Sequence, residues 1–457
     1  MAEPILIDAL GPRGTYRSRN QQAVPDVAGN PLVELSLVPE LFVTRAMSAL
    51  RKADTLPVEE RQAALTRAGE LFATGVVDGM SAADYQYTVS RMAGTPLRIV
   101  REATQAIVRN AADSHRSAQH ARPVGAVNDW RDPSARKGTA VWIRRGDVFA
   151  VHAAGNHPAV HSLWMEALAL GYRVAVRPSR REPLTPYRLI SALRASGFGD
   201  DQIVLLPTDY DAADEILRQA DRSMVFGGQD VIDKYAADPT VLPNGPGRSK
   251  ILVTADCDWR DHLDMIVDSI SHQGGTACVN TTAVFVEGDP TPVAEAIAAR
   301  LAAIPSLPPE DDKAVLTAYS LPAARKIESF LLEKAAGTRA HLGGEGVIDE
   351  LPDGSAVLRP AVHQLDDPFA EQANVELGFP CVWVAPWTRE AGPAAFHDTL
   401  VLTAVTKDEK LLDELLADPT IKNLYIGDHP TYWMAPGVPH DGYLGEFLMR
   451  TKGVIRD

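Results

Sequence analysis

Short apolar runs alternate with amphipathic stretches through the middle of the chain. Between residues 148 and 253 each apolar run is followed by a stretch with helical periodicity. This alternation is typical of a parallel sheet covered by helices, because a strand that is buried on both sides has no polar face. The predicted strands are Val148–His152, Arg173–Val176, Ile203–Leu206, Ser223–Phe226 and Ile251–Val253, and the predicted helices between them are Pro158–Leu170, Thr185–Ala195, Tyr210–Gln219 and Gln229–Ala236.

The flanking segments follow other patterns. Residues 1–36 are rich in turn residues, and we expect them to run over the surface. From residue 39 to about 119 the apolar residues recur at helical spacing, which predicts a block of helices. Residues 123–147 are charged and interrupted by Pro and Gly, which predicts a hairpin outside the main sheet, and residues 442–457 predict an added strand. The second half repeats the strand and helix alternation more loosely.

Composition narrows the class of protein. The 457 residues carry a net charge of -15, which disfavours nucleic acid and anionic membranes as partners because both attract basic surfaces. Three widely spaced cysteines, Cys257, Cys278 and Cys381, fit neither a disulfide framework nor a zinc ribbon, so we expect a reduced setting and no metal. The chain shows no secretory signal pattern and no apolar stretch of roughly 18 residues. The prediction is a soluble, cytoplasmic protein.

One glycine-rich turn points directly to chemistry. Gly274–Gly275–Thr276–Ala277–Cys278 follows a predicted helix and runs into a predicted strand at Thr282–Val286. Backbone N–H groups around a sulfur on such a turn favour the thiolate, which is the form that attacks carbonyl carbons. Cys278 is therefore the candidate nucleophile, and a buried structural thiol is the alternative.

Polar residues that suit this chemistry follow the strands of the predicted sheet. Asn156 comes after the first strand, where its amide either donates to an oxyanion or caps the next helix. The arginine-rich loop 177–181 follows the next strand, at the sheet edge where ribose and phosphate bind in nucleotide-binding folds. The turn 226–228 precedes a helix, so its backbone can approach a pyrophosphate. The predicted nucleotide contacts are Arg177, Ser179, Arg180, Phe226, Gly227 and Gly228.

The order of these motifs resembles the aldehyde dehydrogenase superfamily, which also has a Glu-x-x-Phe-Pro stretch like residues 376–380. The resemblance covers about residues 40–457 and is strongest to the reductases of acyl-CoA and other activated acyl groups. It implies that Cys278 is the nucleophile and that Asn156 and the Cys278 N–H form the oxyanion hole. It also implies that Glu376 holds the nicotinamide ribose, with Phe379 in the same stretch.

The same resemblance implies an α/β fold with three parts. Residues 1–122 and 146–253 would form a Rossmann-type domain for NADP(H), and residues 254–437 an α/β catalytic domain that carries the cysteine. Residues 123–145 and 438–457 would form a small hairpin that bridges the subunits of a homodimer or homotetramer.

One departure from the family pattern bears on the reaction. Hydrolytic members carry a glutamate that activates water in a Glu-Leu-Gly-Gly-Lys-like stretch, whereas this chain has Asn244–Lys250 there. A neutral amide cannot take a proton from water, so a thioester on Cys278 should hydrolyse slowly. His272 and His157 lie near the site in sequence and are candidates to replace the missing base.

A second departure bears on the cofactor. NAD-preferring members carry a glutamate after the Pro-Ser pair, whereas this chain has Arg180 followed by Arg181. A carboxylate repels a 2′-phosphate and guanidinium groups bind it, so NADPH is favoured over NADH.

The sequence thus predicts an oxidoreductase that uses NADPH to reduce an activated carboxylic acid, a thioester or an adenylate, to an aldehyde through a thioester on Cys278. The acyl group would arrive on CoA, AMP or a carrier protein. Two alternatives stay open: an NADP-dependent oxidation of an aldehyde to an acid, and a catalytically silent scaffold subunit with the same fold. Trp164 and Trp383 are candidates for lining the substrate pocket, although aromatic residues at such positions more often belong to the core.

Overall fold

The computed structural model describes residues 3–435 and 437–456. Met1, Ala2, Pro436 and Asp457, which the predicted domain ranges include, lie outside the described residues. Among the helices of the described part of the chain, none is both long and apolar enough to span a bilayer.

Strands and helices alternate along most of the chain. The strands are β1 (Ile5–Ile7), β2 (Ala9–Gly11), β3 (Gly14–Tyr16), β4 (Gln21–Pro25), β5 (Pro31–Ser36), β6 (Thr139–Arg144), β7 (Val148–His152), β8 (Arg173–Arg177), β9 (Ile203–Leu205), β10 (Arg222–Phe226), β11 (Val241–Asn244), β12 (Ser249–Val253), β13 (Thr281–Glu287), β14 (Ala318–Ser320), β15 (Arg339–Leu342), β16 (Ile348–Glu350), β17 (Ser355–Leu358), β18 (Ala361–Gln364), β19 (Cys381–Trp387), β20 (Thr399–Val405), β21 (Ile421–Ile426) and β22 (Met449–Val454). The helices are α1 (Glu40–Lys52), α2 (Val58–Thr74), α3 (Ala82–Ala93), α4 (Leu97–Gln119), α5 (Met165–Ala169), α6 (Leu184–Ala195), α7 (Tyr210–Gln219), α8 (Gln229–Tyr235), α9 (Leu263–Ser271), α10 (Thr291–Leu301), α11 (Leu321–Lys334), α12 (Glu409–Ala417) and α13 (Leu444–Leu448). Short 3₁₀ helices lie at Pro133–Lys137, Pro158–Ser162, Trp259–His262, His272–Gly275, Glu371–Asn374 and Gly392–Phe396.

The first sheet has the strand order β11-β10-β7-β8-β9-β2-β3. Strands β7 to β11 pair in parallel, as the alternation predicts. Alternate residues of β7 enter two cores: Phe149 and Val151 pack with α2 and α4, and Ala150 packs with α1 and α7. The run of apolar residues is uninterrupted because helices cover both faces of the strand.

The amino-terminal residues depart from the prediction that they only run over the surface. Strands β2 and β3 extend the first sheet, with β2 antiparallel to β9. Ala9 and Leu10 are buried there, so this edge is part of the core. Strands β1, β5 and β4 form a small sheet of their own.

The second sheet has the strand order β15-β18-β19-β13-β12-β20-β21. Its strand β12 pairs in parallel with β13 on one side and with β20 on the other. The prediction that residues 251–253 continue the first sheet is therefore wrong. A fully buried run of this kind suits the centre of either sheet, so its apolar character did not distinguish them.

Residues 123–147 do not form a hairpin of their own. Strand β6 pairs antiparallel with β22 of the tail over their whole length, and Val127 makes a parallel bridge to Val141. The predicted returning strand in the tail is therefore confirmed. The division into cofactor, catalytic and bridging domains stays a prediction.

Candidate active site

The turn that carries Cys278 lies between α9 and β13 and is held in an unusual backbone conformation. Gln273, Gly274 and Gly275 all have positive φ angles, of 50°, 76° and 69°. At Gly275 a Cβ atom would also lie 2.5 Å from the backbone nitrogen of Pro380, which leaves room only for glycine. Asn280 closes the turn, since its Oδ1 accepts from the N–H of Ala277 at 2.8 Å.

The backbone behind Cys278 comes from the loop between β11 and β12. A Cβ on Gly247 would lie 1.7 Å from the Cys278 carbonyl oxygen, so the two segments touch without any side chain between them. Ser249 donates its hydroxyl to the same carbonyl oxygen at 3.1 Å. Glu376 accepts from the N–H of Arg248 at 2.7 Å and so holds this loop. Burial raises the pKa of Glu376 in spite of the hydrogen bonds that it accepts.

Asn156 reaches the same turn from the carboxyl end of β7. Its Nδ2 donates to the carbonyl oxygen of Thr276 at 3.1 Å. The alternative role as a helix cap belongs to His157, whose Nδ1 accepts from the N–H of Ala159 at 3.2 Å at the start of Pro158–Ser162. An amide NH₂ has two hydrogens, so Asn156 retains one for an oxygen beside Cys278.

A histidine that the sequence analysis missed lies beside the sulfur. The Nε2 of His440 is 3.5 Å from the Sγ of Cys278, and its Nδ1 is 2.7 Å from Oδ2 of Asp441. Burial by itself would lower the pKa of His440, but its hydrogen bonds and charge interactions with Asp441 and Cys278 outweigh burial and raise this pKa well above its usual value. The only hint in the sequence is a His-Asp pair in a Pro/Gly-rich stretch near the tail.

The two histidines named from the sequence have a different environment. Burial lowers the pKa of His157 to about 4 and that of His272 also to about 4. The His272 ring stacks on Tyr432, with centroids 3.6 Å apart and planes 8° apart. Each ring therefore stays neutral near pH 7, and neither makes a hydrogen bond to Cys278 within the described residues.

The arginine side chains of the loop after β8 point in two different directions. Arg177 donates to Oγ1 of Thr208 at 2.9 Å, and its guanidinium carbon lies 5.6 Å from the ring centroid of Tyr210. Arg180 lies 4.5 Å from the same centroid. Arg181 instead donates to the carbonyl oxygen of Ala93 at 3.0 Å, so it turns away from this pair. Arg180 and Arg181 therefore have different neighbours, and the preference for NADPH stays a prediction.

The other predicted contacts lie in separate places. Ser179 accepts from the N–H of Arg181 at 3.2 Å and so closes its own loop. Phe226 is half-buried at the end of β10, Gly227 follows it, and Gly228 is exposed immediately before α8. Phe379 is only 2% exposed and packs in the core of the second sheet.

Both candidate pocket tryptophans are core residues. Trp164 and Trp383 are each 0% exposed. Their indole N–H groups donate to His161 at 3.2 Å and to the carbonyl oxygen of Val375 at 3.0 Å. The proposed role of these two side chains in lining a substrate pocket is therefore wrong.

The fold and the site together define an α/β protein of two largely parallel sheets, with a cysteine-centred site where the carboxyl end of one sheet meets the amino end of the other. A model of the aldehyde dehydrogenase family matches residues 39–392, and the chain belongs to this family. The resemblance to the aldehyde dehydrogenase superfamily and the α/β fold class are thereby confirmed, and the likeness to its acyl reductases stays a prediction.

Individual relatives are distant. The chain is 27% identical over 271 residues to the 2-hydroxymuconic semialdehyde dehydrogenase of Pseudomonas sp. (strain CF600), a match that covers 53% of each chain. The chain thus spans about half the length of this curated relative. Among solved structures, an NADP dependent enzyme of E. coli superposes with a TM-score of 0.81 at 16% identity, covering 98% of this chain and 97% of that one. An aldehyde dehydrogenase from Bacillus cereus in an NAD+ complex gives a TM-score of 0.80 at 15% identity, covering 99% and 96%.

Proposed function

We propose that this chain uses NADPH to reduce an activated carboxylic acid to an aldehyde, through a thioester on Cys278. The observation that carries the proposal is the meeting of three groups at one turn: the sulfur of Cys278, the amide of Asn156 and the Gly247 backbone. A nucleophile with oxyanion donors on fixed backbone is what acyl transfer requires.

Each residue of the site has a role in the steps of this acyl transfer. The thiolate of Cys278 attacks the acyl carbon, and the carbonyl oxygen becomes an oxyanion that the Asn156 amide and the Cys278 N–H stabilise. The C–S bond forms, the bond to the leaving group breaks, and the acyl group remains as a thioester. Glu376 and the turn 226–228 would hold a reduced nicotinamide cofactor, which would supply the hydride that takes this thioester to the aldehyde level. Cys278 then leaves as the thiolate when the C–S bond breaks.

The residue at the position of the family's glutamate supports the reductive direction. Asn244 lies at the end of β11 and is 7% exposed, so the position holds a buried amide rather than an acid. The backbone carbonyl oxygen of Asn244 accepts from the N–H of Gly227 at 3.1 Å. An amide does not accept a proton from water, and this spares a thioester from the hydrolysis that the glutamate promotes in hydrolytic members.

The arginine pair on the Tyr210 ring supports NADP(H) as the cofactor. Burial and the nearby Arg180 both lower the pKa of Arg177, as expected where two guanidinium groups lie near one tyrosine ring. The Nε of Arg180 is buried, and no described residue accepts its hydrogen. An anion such as a 2′-phosphate would neutralise the two neighbouring positive charges and accept the hydrogen of the Arg180 Nε. Arg177, Ser179 and Arg180 would bind the adenosine end, and Phe226, Gly227 and Gly228 the pyrophosphate. Glu376 would bind the nicotinamide ribose, with the buried Phe379 packed in the core of the second sheet.

This assignment gives each sheet a role. The first sheet, with residues 1–122 and 146–253, would hold the cofactor, except that β12 belongs to the second sheet. The second sheet, within residues 254–437, would carry the cysteine. Residues 123–145 and 438–457 would bridge subunits, and β6 and β22 already pair within one chain.

A second candidate function is the oxidation of a small aldehyde to an acid with NADP. The observation that favours it is His440, which offers a ring nitrogen 3.5 Å from the sulfur and therefore a base close to the thioester. The name of the Pseudomonas relative is that of a semialdehyde dehydrogenase, which suits the same direction.

Steady-state kinetics separate the two candidates. Acyl-CoA thioesters, acyl adenylates and the matching free aldehydes are offered with NADPH or NADP, and Cys278→Ala is the matched variant. Loss of NADPH absorbance with aldehyde as the product, by the native protein alone, supports reduction. Cys278-dependent formation of NADPH and acid from aldehydes, with no activated acyl compound reduced, supports oxidation and contradicts the first proposal.

A further inference from the structure

We propose that His440 is the acid–base residue of Cys278 and that Asp441 is its positioning residue. The Nε2 of His440 points at the Sγ of Cys278 from 3.5 Å, and its Nδ1 lies 2.7 Å from Oδ2 of Asp441. The inference rests on the proposed function in one respect, that Cys278 is the acyl carrier. It places on the tail of the chain the proton transfer to and from the sulfur of Cys278.

The position of the imidazole is fixed by the same strands that support the cysteine turn. Asn423 of β21 donates through Nδ2 to the carbonyl oxygen of His440 at 2.5 Å and to that of Leu400 at 2.9 Å. The N–H of Leu400 in turn donates to the carbonyl oxygen of Gly247 at 2.8 Å. Because the Gly247 backbone also lies against that of Cys278, hydrogen bonds and one close backbone contact connect the histidine to the cysteine turn.

The surroundings of the ring suit a proton carrier. The His440 side chain is 18% exposed, so the ring is shielded while remaining reachable by solvent. Among the described residues, Cys278 from the turn and Asp441 from the tail are the titratable groups that bond to its ring, and the β21 side chain bonded to its backbone, Asn423, is uncharged. A carboxylate on Nδ1 orients an imidazole and stabilises its protonated form.

This geometry determines how a proton moves between Cys278, His440 and the leaving group. The Sγ that attacks is the thiolate, and Nε2 of His440 holds the proton that the thiol has released. When Sγ bonds to the acyl carbon of an acyl thioester, the bond to the leaving thiol breaks, and the thiolate that departs takes the proton from Nε2. Neutral His440 then regains a proton from solvent, to which its ring remains partly exposed.

Alkylation by iodoacetamide tests the pair without substrate or cofactor. The rate of carboxamidomethylation of the Cys278 peptide is followed by mass spectrometry from pH 5 to pH 9 in the native chain, in His440→Gln and in His341→Gln. His341 lies on the edge strand β15, where it bonds to Gln364, and is the matched control. We expect His440→Gln to lose about 10-fold or more of the rate at pH 6 and little at pH 9, where thiols ionise unaided.

Asp441 is tested by Asp441→Asn, with Asp441→Glu as the conservative variant. We expect Asp441→Asn to shift the alkylation profile in the same direction as His440→Gln, to lower kcat with KM unchanged, and to be rescued in part by Asp441→Glu. A role in folding alone would reduce alkylation equally at every pH.

The outcomes separate this inference from the proposed function. An alkylation rate for His440→Gln equal to that of the native chain at pH 6, or a loss of the same size at pH 6 and pH 9, overturns the inference. If the pH-dependent loss is found but Cys278→Ala still reduces activated acyl compounds, the pair stands and the proposed function is wrong.

Discussion

Gly247 and Cys278 touch through their backbones. A Cβ atom at Gly247 would be 1.7 Å from the Cys278 carbonyl oxygen. The loop before β12 therefore packs directly against the backbone of the nucleophile. Glu376 stabilises this loop by accepting a hydrogen bond from the N–H of Arg248.

The first prediction concerns this contact. Gly247→Ala should lower kcat/KM by about 10²-fold or more, because a displacement of about 1 Å at a nucleophile costs that much. The rate of Cys278 alkylation should change with it. The matched control is Gly453→Ala in β22, where a Cβ meets no atom within 4 Å and where activity should be unchanged. Full activity in Gly247→Ala would show that the turn tolerates displacement.

The second prediction concerns Asn156. Asn156→Ala should lower kcat for acyl transfer by about 10² to 10³-fold, as expected when one oxyanion donor is removed. Alkylation by iodoacetamide develops no oxyanion, so its rate should stay close to that of the native chain. Equal losses in the two reactions would mean that Asn156 only supports the turn through its bond to Thr276.

The third prediction concerns cofactor choice. Arg180→Glu should raise KM for NADPH by about 10-fold or more and change KM for NADH little, since a carboxylate repels the 2′-phosphate. Arg181→Ala serves as the matched arginine, because Arg181 bonds to Ala93 and does not face Tyr210. The assignment of the phosphate to the Tyr210 face fails if Arg181→Ala, and not Arg180→Glu, changes the preference.

These residues also show how far sequence reasoning reaches. The meeting of Asn156 with the Cys278 turn was predictable, because each residue follows a strand or helix whose periodicity fixes its place and the ends of neighbouring elements meet. His440 was not, because it is 162 residues from Cys278 in a loop without periodicity, and only the folded tail brings them together. The different orientations of the Arg180 and Arg181 side chains were not predictable for a related reason. Adjacent residues of an irregular loop have no periodicity that assigns them to one face or another.

The sequence also could not show which motif residues are buried or which sheet a buried strand joins. Phe379 belongs to a motif of the family, yet its ring lies in the core, so the motif includes packing as well as contact. Strand β12 has the apolar character of either sheet, and only its neighbours β13 and β20 decide its place.

The fourth prediction concerns stability at low pH. Burial lowers the pKa of His161 to about 3, whereas an unfolded histidine binds a proton below about pH 6.5. The unfolded state therefore binds more protons in this range, so this histidine's contribution is fully present above pH 6.5 and is lost as the pH falls. Between pH 6.5 and 5 the loss should be about 2 kcal/mol in the free energy of unfolding.

Urea denaturation at pH 7 and pH 5 measures this loss. His161→Asn keeps an acceptor for the Trp164 N–H and removes the titration, so its difference between the two pH values should be smaller than that of the native chain by about 2 kcal/mol. Trp164→Phe keeps the titrating ring and should retain the full difference. Identical pH differences in the native chain and His161→Asn would show that His161 is accessible to protons.

The central claim is that Cys278 carries the acyl group, and mass spectrometry of the protein mixed with an acyl-CoA thioester in the absence of cofactor tests it most directly. We expect an adduct of the acyl mass on the peptide that contains Cys278, none in Cys278→Ala, and discharge of the adduct as aldehyde when NADPH is added. An adduct only on Cys257 or Cys381, or NADPH-dependent aldehyde formation without any adduct on Cys278, would contradict it.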